Sequence, residues 1–170
     1  RTGVPFTYGM LAAGKGDLGW KPVVELLDRI NSAGGRSWAQ VHTRQFGVLL
    51  SFSTQLPFDS LPIWKELRKA TLEDQLLALR NPEMRSSLMH EAEHGDYGRS
   101  IGAEARKPEW EFVYPMESAL PPYRSIAEIA AAENKKPIDV FFDVAVANNL
   151  DIFFIQAAAN QDQSVVLDLM

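Results

Sequence analysis

Residues 36–53 read RSWAQVHTRQFGVLLSFS and contain the part of the sequence that decides the fold. Within them, residues 37–42 form a short strand-like run that directly follows a helical pattern. A strand in that position is typical of a parallel α/β sheet, and ligands in such folds collect at the carboxyl ends of the strands. The first candidates for functional side chains are therefore Gln40, His42 and Arg44.

The residues before this stretch predict a strand and a helix. Residues 4–8 (VPFTY) read as a buried strand. Residues 21–33 predict a helix, since Pro22 stands in its first turn, apolar residues recur at helical spacing, and Gly34-Gly35 ends it. Together with residues 37–42 they predict a βαβ unit, which is right-handed by default. The predicted fold class is α/β.

The pattern changes to mostly helical from residue 54. Thr71 with Asp74, and Ser125 with Glu128, are capping pairs that open helices. Further predicted elements are a strand at 109–114, helices at 126–133 and 137–147, a strand at 151–156 and a last helix. We therefore divide the chain into a βαβ unit (1–53), a helical insertion (54–108) and a region of further strands and helices (109–170).

The composition is that of an ordinary globular protein, with 170 residues, 46% hydrophobic and 23% charged. The formal net charge of -5 and the lack of a basic block argue against nucleic acid as a partner. No apolar run approaches the roughly 20 residues that span a bilayer, and no secretory signal is visible. The absence of cysteine excludes disulfides and thiolate metal sites. We expect a cytoplasmic protein.

Both ends of the sequence lie in patterns typical of structured regions. Position 1 is Arg1, a strand pattern begins at Val4, and the last six residues (VVLDLM) are an apolar helical run. These features lead us to expect that the chain is a piece of a larger protein.

His90, Glu91 and His94 fit the H-E-x-x-H pattern. On a helix the two histidines lie one turn apart and can both bind zinc, while the glutamate acts as a general base on the bound water. Glu93 places a charge where such helices usually pack into a core, and Gly95 ends the helix at the second histidine. A zinc metalloprotease is one alternative, and a solvated helix end is the other. Candidate third ligands are Glu109, Glu111 and Glu117.

Three further patterns have structural interpretations. Residues 9–16 (GMLAAGKG) share Gly9, Gly14 and Lys15 with a phosphate-binding loop but lack the Ser or Thr that binds magnesium, so we expect an ordinary βα loop. Five aromatic residues are expected in the core, namely Trp38, Phe46, Phe52, Phe58 and Trp64. Turn or cap positions are expected for Asn148, Asn149 and Asn160.

His42 and Arg44 suit chemistry at the end of a strand. A histidine there can bind metal, transfer a proton or hold a substrate oxygen. An arginine can bind a carboxylate through two parallel hydrogen bonds. The structural alternatives are a hydrogen-bonded histidine at a barrel rim and an ion pair.

Four segments together resemble the middle of N-acyl-D-amino-acid deacylases (D-aminoacylases) and related proteins of the amidohydrolase superfamily. They read WAQVHTRQFGVLLSF (38–52), LPFDSLPIWKEL (56–67), TLEDQLLALRNPEMRSSL (71–88) and PPYRSIAEIAAAENKKPIDVFFDVAVANN (121–149). The sharpest parts of the resemblance are residues 81–85 (NPEMR) and 125–130 (SIAEIA).

The resemblance implies a (β/α)8 barrel that hydrolyses an amide with one or two zinc ions. In that family a His-x-His pair near the start of the barrel and an aspartate on the last strand serve the metal, and neither is in this sequence. Thr7-Tyr8-Gly9 stands where many relatives carry a metal-binding histidine. Residues 42–46 (HTRQF) stand where relatives often have an aspartate and a Tyr-Pro-Tyr run.

The resulting hypothesis is an internal segment of a metal-dependent amidohydrolase, a partial (β/α)8 barrel with a mostly helical insertion. Its substrate would be an N-acyl (D-)amino acid or a related amide, with zinc in the full-length parent and no metal ligand in this segment. The segment alone should be inactive and should self-associate through open strand edges. A non-catalytic helical interaction domain is a further alternative. The predicted substrate-binding residues are His42, Arg44, Gln40 and Tyr8.

Overall fold

The computed structural model of the chain describes residues 3–12, 18–98 and 106–170. Helices and strands both occur along the chain, so the predicted α/β class is confirmed. The chain divides into two compact units, one made of residues 1–47 with 157–170 and the other of residues 48–156. No helix in the described part of the chain combines the length and apolar character that crossing a membrane requires.

The first unit is built on the predicted strand, helix and strand. Strand β1 is Phe6–Met10, helix α1 is Lys21–Ser32 and strand β2 is Ser37–Val41. The two strands pair in parallel, with Phe6 beside Ser37 at one end and Met10 beside Val41 at the other. Parallel pairing requires a crossover that returns the chain to the same end of the sheet, and α1 provides it.

Asn31 fixes the turn between α1 and β2. Its Nδ2 donates to the Ser37 carbonyl at 2.9 Å, and its Oδ1 accepts from the Ser37 N–H at 2.9 Å. Gly34 has a φ of 82°, and a Cβ at Gly35 would lie 2.5 Å from the side chain of Ile30. The helix ends at the two glycines because this turn needs a left-handed residue and then one without a side chain.

The two faces of the β1–β2 sheet have different surroundings. Paired residues share a face and successive residues alternate, so one face carries Tyr8, Met10, Ala39 and Val41. These four residues form a small core with Val23 and Val24 of α1 and with Val165 and Leu169 of helix α7 (Gln163–Leu169). The opposite face carries four exposed residues, Thr7, Gly9, Trp38 and Gln40. Helix α1 therefore covers only one face of this sheet.

Exposure in the first unit contradicts two expectations from the sequence. Val4 and Phe6 are 69% and 58% exposed, so β1 is not the buried strand that its composition predicts. Trp38 and Phe46 are 53% and 47% exposed, so they are not core residues either. Trp38 is exposed because strand alternation places it on the sheet face opposite α1. The expected core positions of the other three aromatic residues are confirmed, since the structure buries Phe52, Phe58 and Trp64.

The second unit is mostly helical. Its α-helices within the described residues are α2 (Pro62–Leu67), α3 (Leu72–Arg80), α4 (Pro82–His94), α5 (Ile126–Glu133) and α6 (Pro137–Ala147). The side chain of Thr71 accepts from the Asp74 N–H and caps α3. Ser125 and Glu128 form a reciprocal capping box at α5. The predicted capping pairs are confirmed, and each supplies acceptors for N–H groups that a first helical turn leaves unpaired.

A three-stranded sheet contains β3 (Phe46–Leu50), β4 (Val113–Pro115) and β5 (Phe154–Ala159) in the order β3-β5-β4. Strand β4 runs antiparallel to β5. The strand predicted over residues 109–114 is therefore only partly right, because a 3-10 turn (Trp110–Phe112) replaces its first half. That turn brings the Trp110 ring to 5.8 Å from the Phe141 ring, between ring centres, and a strand alternation pattern does not anticipate such packing.

The core of the second unit is aromatic, with Phe141 at its centre. Its ring centre lies 4.2 Å from that of Phe154 and 5.7 Å from that of Phe58. The Trp64 ring centre lies 4.5 Å from that of Phe58, with the two rings tilted by 33°, and Trp64 Nε1 donates to the Leu88 carbonyl at 3.1 Å. The one polar group of the buried indole thus has a partner, which removes the desolvation penalty of burying it.

Arg85 joins α4 to α6 through a network of charges. Its Nη2 lies 3.2 Å from Asp139 Oδ1 and 2.7 Å from Asp143 Oδ1, and the guanidinium lies 5.3 Å from the Phe142 ring centre. Lys135 Nζ also donates to Asp143, at 2.9 Å. Burial raises the pKa of Asp143, but hydrogen bonds from Lys135 and Arg85 outweigh burial and hold that pKa below its ordinary value.

Candidate functional site

Asn160 connects three segments of the first unit. It follows β5 directly, and none of its surface is exposed. Its Oδ1 accepts from the Ala12 N–H at 2.9 Å, and its own N–H donates to the Ala12 carbonyl at 2.8 Å. Its Nδ2 donates to the carbonyls of His42 at 2.9 Å and Arg44 at 3.3 Å. Asn160 therefore fixes the chain just after β1 and just after β2.

The bonding pattern explains why an asparagine occupies this position. The residue has a φ of 58°, a left-handed conformation that asparagine tolerates better than most residues. A carboxamide offers a donor and an acceptor from one short side chain, and this site uses both. The sequence predicts a turn or cap residue at Asn160, and the role of its side chain in joining distant segments was not predicted. No local pattern signals a contact between residues 148 positions apart.

Three predicted site residues lie together at the carboxyl end of β2. Gln40 is within β2, while His42 and Arg44 follow it, and all three are exposed. The hydrogen bonds from Asn160 hold the backbone of His42 and Arg44 in place. Gln40 pairs with Gly9, and a Cβ at Gly9 would meet nothing within 4 Å, so the sheet surface beside Gln40 is open.

Tyr8 does not join this group. It pairs with Ala39, one position from Gln40, so strand alternation places it on the sheet face that α1 covers. Its ring is 5.7 Å from the Phe6 ring, centre to centre, and packs at the edge of the small core. His42, Arg44 and Gln40 therefore stand at or just after the carboxyl end of β2, whereas Tyr8 lies on the covered face of the sheet.

The arrangement can bind a small anionic or amide ligand. The Arg44 guanidinium can pair with a carboxylate through two hydrogen bonds. The His42 imidazole and the Gln40 carboxamide can each donate to and accept from an amide group. A surface that carries both functions suits a molecule with a carboxylate and an amide bond close together.

A separate groove lies at the opposite end of the first unit, where β2 begins. Its volume is about 510 Å³, and its apolar walls come from Val4, Leu26 and Ile30, with Arg29 and Arg36 at its border. Because it lies at the amino end of β2, it does not include the predicted site residues. Part of the predicted glycine-rich loop, including Gly14 and Lys15, lies outside the described residues.

The H-E-x-x-H residues lie at the end of α4. His90 and His94 are exposed, and their ring centres are 4.8 Å apart. Glu91 Oε2 accepts from the N–H groups of Ile63 at 2.9 Å and Trp64 at 3.4 Å, so this carboxylate caps the start of α2. The predicted end of the helix at Gly95 is confirmed.

The described residues contain no group of three or more histidine, cysteine, aspartate or glutamate side chains placed to hold a metal ion. Among the described residues, none of the three predicted third ligands, Glu109, Glu111 and Glu117, completes a site with the two histidines. A structural zinc site uses four ligands and a catalytic one three plus water. This part of the chain therefore offers at most a two-histidine site.

Comparisons of the chain with family models, with curated proteins and with solved structures find no match.

Proposed function

We propose that the chain is the substrate-binding part of an amidohydrolase with a (β/α)8 barrel, acting on an N-acyl (D-)amino acid or a related amide. The observation that carries the proposal is Asn160, which joins the segments that follow two parallel strands. In such barrels the catalytic face is built from the loops at the carboxyl ends of the strands. The exposed side chains at this end, His42 and Arg44, belong to the residue types that bind the two ends of an N-acyl amino acid.

Each residue has a distinct role in this proposal. Arg44 binds the α-carboxylate, because a guanidinium pairs with a planar carboxylate in bidentate fashion. Gln40 and His42 hold the amide group through hydrogen bonds. Asn160 positions the loop and does not touch the substrate.

Zinc, which the resemblance implies for the complete enzyme, does not fit the described residues, since they contain no three-ligand group. We therefore assign no ligand for the catalytic zinc among the described residues and derive no zinc-dependent step from them. The proposal makes this chain a binding element, and we expect no amide hydrolysis by the 170-residue protein even when zinc is added.

Ligand binding to the 170-residue protein tests the proposal. Saturation-transfer NMR with N-acetyl-D-leucine should show weak binding, and N-acetyl-D-leucinamide, which lacks the carboxylate, should bind less well. Arg44→Ala should weaken binding of the acid by about tenfold, the usual magnitude for a lost charge-assisted hydrogen bond. The matched control is Arg36→Ala, which removes an exposed arginine from the other end of β2 and should leave binding unchanged.

Three results would contradict the proposal. Absence of binding by the wild-type protein would favour the non-catalytic interaction domain. Equal losses in Arg44→Ala and Arg36→Ala would show that the acid binds through net charge and not at this site. Zinc-dependent hydrolysis by the 170-residue protein would show that metal ligands do lie within it.

A further inference from the structure

We propose that His90 and His94 form a two-ligand site for a late first-row transition-metal dication, such as Cu²⁺, Ni²⁺ or Zn²⁺. The two residues lie one turn apart in the last turns of α4, so their side chains leave the same face of the helix. Both are exposed, and the His94 side chain retains 64% of its accessible surface. The inference does not depend on the proposed amidohydrolase function.

The spacing of the rings matches that of a chelate. A metal ion that lies about 2.1 Å from one nitrogen of an imidazole lies about 3.2 Å from the centre of that ring. If the nitrogen–metal–nitrogen angle is about 90° to 110°, the two ring centres are about 4.5 to 5.2 Å apart. The observed separation is 4.8 Å, with the ring planes inclined at 51°. Both imidazoles can therefore reach one ion without a movement of the helix.

The surroundings favour a cation that keeps water in its remaining positions. An open hollow of about 530 Å³ is bordered by Ser86, Ser87, His90, Glu91 and His94. Glu93 Oε2 lies 3.9 Å from His94 Nε2, but Lys136 Nζ donates to the same oxygen at 3.2 Å, so the two imidazoles are the groups that would bind the cation. Two imidazoles with water suit late transition metals, whose affinity for nitrogen ligands rises to a maximum at copper.

The position of Glu91 separates this site from that of a metalloprotease. One of its carboxylate oxygens accepts two N–H groups at the start of α2. A general base needs its carboxylate directed at metal-bound water, whereas this carboxylate links α4 to α2. Metal binding would therefore join the last two turns of α4, next to the residue that connects the two helices, and would stabilise that part of the second unit.

Metal titration of the three single histidine variants tests the inference, because the chain contains three histidines in all. Calorimetry with Cu²⁺ and Ni²⁺ should show one ion per wild-type chain. His90→Ala and His94→Ala should each weaken binding by about tenfold or more, as expected when one ligand is lost. His42→Ala is the matched control and should bind as the wild type does. Circular dichroism of each variant should show the helix content of the wild type, as expected if α4 remains folded.

Added Ni²⁺ should also slow amide exchange at the end of α4 in the wild type and in His42→Ala only. Binding that survives in the double variant His90→Ala/His94→Ala would overturn the inference, as would an equal loss in His42→Ala or no measurable binding by the wild type. Metal-dependent peptide hydrolysis that is lost in Glu91→Gln would show instead that the pattern is catalytic.

Discussion

Replacing Asn160 with alanine should selectively destabilise the first unit. The change removes three side-chain hydrogen bonds, a buried one with Ala12 and partly buried ones to His42 and Arg44. At about 1 kcal/mol each they contribute about 3 kcal/mol. Alanine at a φ of 58° adds about 1 kcal/mol, because a Cβ without a compensating polar group is disfavoured there. We expect a total loss of about 4 kcal/mol in the free energy of unfolding of this unit.

Hydrogen exchange resolved by peptide measures this effect. A loss of about 4 kcal/mol corresponds to about a thousandfold increase in the opening equilibrium, so amides of β1 and β2 should exchange much faster while those of α5 and α6 do not change. Asn160→Gly separates the two contributions, because glycine accepts the positive φ and loses only the hydrogen bonds. It should cost about 3 kcal/mol.

Asn149 provides the matched control. Its φ is 51°, and its Oδ1 accepts a single exposed hydrogen bond, from Arg80 at 3.4 Å. Asn149→Ala should therefore cost about 1 kcal/mol, measured on the amides of α6. The reasoning is refuted if Asn160→Ala costs no more than Asn149→Ala, or if it speeds exchange equally in both units.

Three further changes test other contacts. Glu91→Ala should lower the free energy of unfolding in urea by about 1 kcal/mol, because the N–H groups at the start of α2 lose their acceptor. The control, Glu25→Ala, changes an exposed residue in the middle of α1 and should have almost no effect. Equal losses in the two variants would contradict the capping role of Glu91. Arg85→Ala should cost about 1 kcal/mol near neutral pH, since the pairs it forms are partly exposed. Because the pKa of Asp143 is lowered, the ion pair with Arg85 contributes fully to stability when the pH is above the ordinary carboxyl pKa. Its contribution is lost as the pH falls through the lowered pKa of Asp143. The difference between wild type and Arg85→Ala should therefore shrink in acid, and a constant difference would exclude the ion pair as its cause. Light scattering should show that the wild type self-associates and that Trp38→Lys reduces this association, because Trp38 lies on the uncovered face of the β1–β2 sheet. Leu77→Lys changes an exposed position of the second unit and is the control. A wild type that is monomeric at all concentrations would contradict the prediction.

Local sequence signals predicted the elements well. Pro22, the glycine pair after α1, and the capping residues Thr71 and Ser125 each act on neighbouring backbone groups, so their effects can be read from adjacent positions. The H-E-x-x-H spacing likewise predicts that the two histidines share a helix face, because helical periodicity alone determines it.

Long-range features were not predictable in the same way. The apolar character of Phe6 and Trp38 indicates a strand, but exposure depends on what covers each face, and one of the two covering helices, α7, comes from a distant part of the chain. The sequence hypothesis places Tyr8 with Gln40 among the substrate-binding residues, whereas the register between β1 and β2 places them on opposite faces of the sheet. The role of Asn160 depends on partners that only the folded chain brings near it.

The contacts of Asn160 also affect the order in which the chain can fold during synthesis. Residues 48–156 are continuous and contain their own aromatic core, so they can become compact as soon as they leave the ribosome. The first unit is interrupted by them, and Asn160 is 148 positions from Ala12. Closing so long a loop carries an entropic cost before any contact offsets it, so the βαβ segment, although made first, should be the last to become stable.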